Sequence, residues 1–393
     1  MLAGRRRPPV CAQLVCASGP SVPRDVCSLY VLWATVGRQR GDFARWALLR
    51  AVPDRLQRVC DLGDAWVRTV LRDAFSGLAG EDRWELAAAG VAGERAGAWL
   101  AGASLGSSFQ IGSVTKTFTA LALATMVVEG RVALEDPVGR YLPAAGASGI
   151  RLVDLATHTS GYPRIPRGVQ ARMLLRLRDP YALVRDRHVD RAVRRLSTGL
   201  GPGPHGFQYS NFGYGVLSRA LASAAGKPFG ELLRDEVLQP LGLAEEVTLE
   251  SDPDPRRRRV FGHSTGGEEL EHWHNPALPG ASFLFASVEG MGRYLAANLR
   301  PASTKLRAAL ELAHQPFQVE PDMQVGLGWL VRSTEGGPVY WHNGGTSGFG
   351  AFIAFDLARQ AGVAVLMSRR HLLDLDEAAM SALSVLRQGR LPG

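Results

Sequence analysis

Residues 113–129 read SVTKTFTALALATMVVE. Apolar side chains at Val114, Phe118, Leu121 and Val128 recur at near-helical spacing and Gly130 supplies a stop, so a helix is expected from about Ser113 to Glu129. Ser113 and Lys116 lie three residues apart, almost one turn, which puts both side chains on one face. At a helix N-terminus, free N–H groups can hold an oxyanion and the dipole lowers a lysine pKa. Such a pair is suited to activating a hydroxyl. The same four residues also describe an N-cap serine followed by a surface lysine, so the pattern decides nothing alone.

Outward from this helix the pattern changes on both sides. Upstream, Trp84–Val91 and Ala96–Ala101 are β-like and joined around Gly93-Glu94, which predicts a hairpin. Downstream, 136–280 alternates Gly, Pro and Arg-rich stretches with helical segments, one ending near Leu238-Gln239-Pro240-Leu241-Gly242. Then Gly326–Arg332, Pro338–His342, Gly350–Phe355 and Gly362–Met367 read as short apolar strands with hairpin-length connections. A last helix is expected over about Asp376–Leu386. Strands, helices, strands and a helix imply an α/β (α+β) fold: one antiparallel sheet built from both ends of the chain, flanked by helices, with a mainly helical subdomain inserted. The expected sheet part is about 61–112 and 285–393, and the helical part about 113–284.

The chain has 393 residues, 46% hydrophobic and 21% charged, as in ordinary globular proteins. No run of 18 apolar residues occurs, so no transmembrane helix is expected. The net charge of +8 is local: residues 1–60 hold ten Arg and three Asp, leaving 35 basic against 34 acidic residues beyond them. A near-neutral body argues against a nucleic-acid surface. All four Cys (Cys11, Cys16, Cys27, Cys60) also fall in 1–60, which removes a thiol nucleophile from the rest and fits no zinc spacing. Residues 1–60 are expected to be a poorly structured extension, with 61–393 as the folded domain. The basic leader is long and interrupted by Asp25, so no convincing signal peptide is seen and both cytoplasmic and exported locations stay open. An anion-binding role for this extension is disfavoured by its modest charge density.

Only three lysines occur, Lys116, Lys227 and Lys305, against 42 arginines. Guanidinium does not give up its proton under ordinary conditions, so chemistry needing a neutral amine must fall to a lysine. Tyr209-Ser210-Asn211 follows the Gly/Pro-crowded loop Gly199–Gly206. A phenol beside an ammonium can share or lose its proton, and Asn offers both a donor and an acceptor. His342-Asn343-Gly344-Gly345 ends a predicted strand, where glycines let a substrate lie against the edge and His342 can face an anion or the tyrosine hydroxyl. Each motif alone is also a buried Tyr, a turn Asn or a strand-end His. His272 and His274 flank Trp273 without an evident third ligand, so no metal is expected.

Their order is informative. Ser-x-x-Lys at a helix start, Tyr-x-Asn on a loop and His-x-Gly on a strand together resemble the penicillin-recognising serine hydrolases. This family includes class C β-lactamases, D-Ala-D-Ala carboxypeptidases, D-amino-acid peptidases and related esterases. Similar segments are Phe109-Gln110-Ile111-Gly112, Leu134-Glu135-Asp136-Pro137-Val138 and Tyr141-Leu142-Pro143. Leu155-Ala156-Thr157-His158-Thr159-Ser160-Gly161, Pro240-Leu241-Gly242-Leu243, Gly326-Leu327-Gly328-Trp329 and Gly345-Thr346-Ser347-Gly348-Phe349 complete the set, over about residues 80–370. The resemblance implies a β-lactamase/transpeptidase-like fold and a cleft in which Ser113 attacks a carbonyl while Lys116 and Tyr209 move its proton. It further implies that Asn211, His342 and Gly344 contact substrate and that the N–H groups of Ser113 and Gly345 form the oxyanion hole. His158 is expected to be mainly structural. No cofactor is implied.

Three departures bear on specificity. His342 stands where β-lactamases of this group usually carry Lys, which favours the peptidase or esterase branches. Pro279-Gly280-Ala281-Ser282-Phe283 lacks the usual adjacent glycines, and Gly290 replaces a common Asp. The expected function is a serine hydrolase forming an acyl-enzyme on Ser113 and cleaving an ester, amide or D-amino-acid peptide bond in a small-molecule or peptide substrate. The alternative is a non-hydrolytic penicillin-binding-like protein that captures cell-wall peptides or β-lactams. A missing catalytic residue would mark the alternative, and none is missing.

Overall fold

Strands that alternate between two buried faces organise the domain. In the computed structural model, residues 63–389 are described apart from 80–83, 176–178, 202, 255–257 and 371; the expected extension 1–60 lies outside the described residues. Thirteen strands run among these residues: β1 Leu86–Ala92, β2 Arg95–Ala101, β3 Ser108–Gln110, β4 Val247–Leu249, β5 Gly262–His263, β6 Glu269–Leu270 and β7 Leu284–Ser287, then β8 Phe317–Glu320, β9 Met323–Val325, β10 Leu330–Arg332, β11 Val339–Gly345, β12 Gly350–Asp356 and β13 Ala361–Met367. The helices are α1 Ala65–Phe75, α2 Thr115–Val128, α3 Leu152–Ala156, α4 Arg167–Met173, α5 Asp186–Ser197 and α6 Asn211–Ala225. They continue with α7 Phe229–Leu233, α8 Pro279–Ser282, α9 Val288–Leu299, α10 Arg307–Ala313 and α11 Leu372–Gln388.

Eight strands form the main sheet in the order β2-β1-β13-β12-β11-β10-β9-β8. Neighbouring ladders are antiparallel, and β1 from one end of the chain pairs with β13 from the other, Leu86 opposite Met367. The expected sheet assembled from both ends is therefore present. Its central strands are covered twice. On β13, Val363 and Val365 pack with the helices α1 and α11, whereas Ala364 and Leu366 pack into the larger core on the opposite face. Side chains two apart share a face, so a strand covered on both faces reads as an unbroken apolar run rather than an alternating one.

Three features depart from the expected partition. Ser108–Gln110 does not join the main sheet but forms a separate three-stranded sheet with β7 and β4, of which β4 lies inside the region expected to be helical. The strands β8, at the sheet edge, and its neighbour β9 were not expected; their partly exposed Gln318, Glu320 and Gln324 dilute the apolar signal. Nor was α1, whose N-cap Asp64 accepts from the N–H groups of Trp66 and Val67 at 3.0 Å.

The closing helix α11 is tied to the sheet by charge as well as packing. Arg387 in its last turn lies with Nε 2.7 Å from Oδ2 of the fully buried Asp356, and its Nη2 donates to Thr334 Oγ1 at 2.7 Å. Removing one partner leaves a buried carboxylate without its counter-charge. Arg387→Ala is therefore expected to cost about 3 kcal/mol of stability, measured as a shift in the urea midpoint at unchanged slope.

Candidate active site

The helix expected from Ser113 begins as one tight turn, Gly112–Val114, that runs into α2. Gly112 has φ +51°, and a Cβ there would sit 2.6 Å from the backbone nitrogen of Gly345, so glycine is needed for conformation and for closeness. From Thr115 to Met126 every residue of α2 is buried. A helix apolar on all sides belongs inside the molecule, and this one carries Lys116 in with it.

Lys116 Nζ donates to Ser113 Oγ at 2.9 Å and to the Ala281 carbonyl at 3.0 Å. Thr119 Oγ1 donates to Gly280 O at 2.9 Å, and Thr115 Oγ1 accepts from the N–H groups of Phe283 and Leu284 at 3.2 and 3.3 Å. These bonds lace 280–284 along α2 and hold the Ala281 carbonyl over the amine. The departure at Pro279–Phe283 thus borders the amine directly.

Tyr209 comes from 93 positions further along the chain, and its hydroxyl meets the Ser113 side chain. Two backbone contacts and one ring set it there. Gln208 N–H donates to the His158 carbonyl at 2.8 Å, and Ser210 N–H donates to His158 Nδ1 at 3.0 Å. The His158 ring lies 4.4 Å from the Tyr209 ring. His158 is buried in the left-handed region at φ +61°, uncommon for a residue with a Cβ. Its Nδ1 lone pair is taken by a backbone donor, and burial beside Lys116 keeps the ring neutral. The imidazole positions the phenol, which is the structural role expected of it.

Asn211 opens α6, capped by Ser210 Oγ, which accepts from Gly213 N–H at 2.8 Å. Its Nδ2 donates to the Tyr181 hydroxyl at 3.3 Å, and its Oδ1 is buried with no hydrogen-bond partner. On β11, a Cβ on Gly344 would stand 2.0 Å from Ile111 O and 3.1 Å from the nitrogen of Ser113. The strand edge and the turn bearing Ser113 are therefore in backbone contact. Thr346 N–H donates to Phe349 O at 3.2 Å across the β11–β12 ladder. Pairing alternates in an antiparallel ladder, so the N–H of Gly345 points away from β12.

Electrostatics separates the titratable groups. Burial, aided by the nearby Arg164 guanidinium, pushes the Lys116 amine well below its usual range. Burial pushes the Tyr209 phenol up to about 12, against the opposing pull of Arg164 and Ser113. Burial beside Lys116 lowers His342 to about 3. His342 Nδ1 lies 2.6 Å from the Asn343 carbonyl, an acceptor only, so Nδ1 carries the proton and Nε2 a lone pair. Of the two partners expected for His342, a neutral acceptor nitrogen suits the tyrosine hydroxyl better than an anion.

Several neighbours carried no usable sequence signal. Arg164, one arginine among 42, places its guanidinium 5.2 Å from the Tyr209 ring centroid. Tyr181 and Trp273 meet edge to face at 5.4 Å beside Asn211, and Trp273 Nε1 donates to Ser347 Oγ at 2.7 Å. His272 and His274 take separate partners, Val260 O at 2.8 Å and Asp179 at 2.9 Å. Gly290 packs against Glu246, where a Cβ would be 2.9 Å from that residue's own.

An antiparallel sheet, an inserted helical region and a serine, a lysine and a tyrosine brought together from distant positions define a serine hydrolase architecture. Comparison with known proteins gives the same class. The β-lactamase family model matches residues 72–387. The chain is 29% identical over 294 residues to the D-alanyl-D-alanine-carboxypeptidase/endopeptidase AmpH of Escherichia coli, covering 68% of this chain and 72% of that protein. It is 24% identical to an Escherichia coli β-lactamase (67% and 76% covered) and 24% identical to penicillin-binding protein 4* of Bacillus subtilis (70% and 64%). The chain belongs to the β-lactamase family of penicillin-recognising serine hydrolases. Among the described residues no helix is long and apolar enough to cross a membrane.

Proposed function

We propose that the protein is a D-peptidase or esterase of this family that works through an acyl-enzyme on Ser113. The observation that carries the mechanism is Lys116: a fully buried amine, depressed in pKa, 2.9 Å from Ser113 Oγ. Burial favours the neutral form of this amine, which has a lone pair for the serine proton; a phenol held near 12 keeps its own proton and is a poor ground-state base. Lys116 therefore takes the proton as Ser113 attacks the carbonyl. The N–H groups of Ser113 and Gly345 hold the oxyanion, and Asn211 Oδ1 accepts the acyl amide N–H. Gly344, lacking a side chain, lets the substrate lie along β11. Tyr209 gives its proton to the leaving group and is reprotonated from Lys116, with His342 Nε2 as acceptor beside it. Water then attacks the ester and frees Ser113 by the reverse transfers.

A peptidase or esterase is favoured over a β-lactamase because position 342 carries a neutral imidazole in place of lysine, so the strand offers no ammonium to a β-lactam carboxylate. Capture without turnover is the second possibility, but the proton-transfer groups are all present. Labelling with a fluorophosphonate and with a fluorescent penicillin, followed by peptide mapping, tests the assignment. Label from both probes is expected on the peptide containing Ser113 and absent in Ser113→Ala. Turnover of p-nitrophenyl esters without cephalosporin hydrolysis is the expected accompaniment. Label elsewhere, or hydrolysis retained by Ser113→Ala, overturns it.

A further inference from the structure

One guanidinium, that of Arg164, acts on both Lys116 and Tyr209. Arg164 is exposed on the loop that leads from Gly161 toward α4, with its guanidinium over the face of Tyr209. The loop is pinned beside Asn211, since Arg164 O accepts from Phe212 N–H at 3.1 Å and Pro163 O accepts from Ser210 Oγ at 2.8 Å. Arg370, half-buried just beyond β13, is near enough to feel its charge. Neither guanidinium has an ion-pair partner among the described residues. Lys116, Tyr209 and Tyr181 all lie within the field of Arg164, and no described carboxylate is among the charges acting on any of these groups.

We propose that Arg164 is a specificity residue that selects acyl donors carrying a carboxylate on the acyl side of the scissile bond. The proposal rests on the acyl-enzyme mechanism above, in which Asn211 marks the acyl side. A solvated surface arginine is the commonplace state of this side chain, and it has no reason to lie against a functional phenol with a second unpaired arginine nearby. Like charges brought together without counter-ions repel, and an incoming anion relieves that repulsion. Guanidinium also presents a planar fork that pairs with carboxylate in two parallel hydrogen bonds. The ring beneath it fixes the cation through its π face, limiting its rotamers before substrate arrives. His342, held neutral on β11, supplies no competing positive charge. The anionic group is thereby directed toward the helical side of the cleft.

The test compares two p-nitrophenyl esters of equal acyl length, the glutarate monoester and the valerate. The wild type is expected to favour the glutarate in kcat/KM by about tenfold, mainly through KM, with the preference shrinking as ionic strength rises from about 0.01 to about 0.5 M. Arg164→Gln is expected to erase the preference, Arg164→Lys to keep part of it, and Arg164→Glu to favour an ester with a trimethylammonium-terminated acyl chain. Arg370→Gln is expected to weaken the preference less than Arg164→Gln does. Equal rates for the two esters in the wild type, or a preference untouched by Arg164→Gln or salt, overturns the assignment. Labelling of Ser113 by the neutral fluorophosphonate separates the two levels. Label without charge preference defeats only the role of Arg164, whereas no label on Ser113 defeats the mechanism and the inference together.

Discussion

Lys116→Met is expected to lower kcat/KM by about a thousandfold and to remove the acidic limb of its pH profile. Methionine fills the volume of the lysine stem, so the loss reports the amine rather than a cavity. The sign follows from the direction of the shift. Burial and Arg164 favour the neutral amine, and in the proposed mechanism the neutral form is the reactive one. Activity therefore rises as pH climbs through the lowered lysine pKa, and falls only at strongly alkaline pH, where Tyr209 ionises near 12. The folded state is subject to the same linkage. Protonating Lys116 in its buried site is costly, so the lysine's contribution opposes stability increasingly as pH falls from the normal lysine pKa toward the depressed one. Pre-steady-state acylation across pH measures the first effect. In the proposed mechanism Ser113 and Lys116 act as a unit, so Ser113→Ala with Lys116→Met should be scarcely slower than Ser113→Ala alone. An acidic limb that survives in Lys116→Met assigns the titration to another group.

Gly344→Ala is expected to reduce kcat/KM by about a hundredfold and to cost about 3 kcal/mol of stability. The added methyl would lie 2.0 Å from Ile111 O, against a backbone atom that cannot swing aside as a side chain does. β11 is held along its length by β12, from Val339 opposite Asp356 to Gly345 opposite Gly350. Relief must therefore come from the turn at 111–113, which displaces Ser113 from Lys116 and from the N–H of Gly345. Gly292→Ala provides the contrast. Its methyl would meet Ala89 Cβ at 3.4 Å, an ordinary contact, within the helix α9. That change is expected to stabilise by about 0.7 kcal/mol, through helix propensity alone. Urea midpoints and esterase rates for the two variants separate a steric effect at the site from a general effect of replacing glycine.

The main sheet was legible because its central strands carry dense local signals. Ala361–Met367 and Gly350–Phe355 are uninterrupted apolar runs separated by a short polar connection, and that connection dictates antiparallel pairing. The separate sheet was not. Ser108–Gln110 has three residues, too few to show a period, and its partner β7 lies far away in sequence, so nothing local assigns it to one sheet or the other. Ser113, Lys116, Tyr209, Asn211, His342 and the glycines of β11 were legible as motifs in a fixed order. Arg164 was not, because its distinction is its location, above a ring contributed by another loop, and arginine abounds throughout this chain.

By itself the sequence determined which chemical groups exist and roughly how the chain divides into sheet and helix, because periodicity, turn residues and a hydroxyl three residues from an amine are local properties. The tertiary structure decided the proton affinities: Lys116 is depressed because a wholly buried helix takes it out of water beside an arginine from a separate loop. It also decided that His342 is neutral and that unpaired positive charge gathers at Arg164. Desolvation and Coulomb fields depend on distances in space, and residues 113, 164, 209 and 342 acquire those distances only when the chain folds.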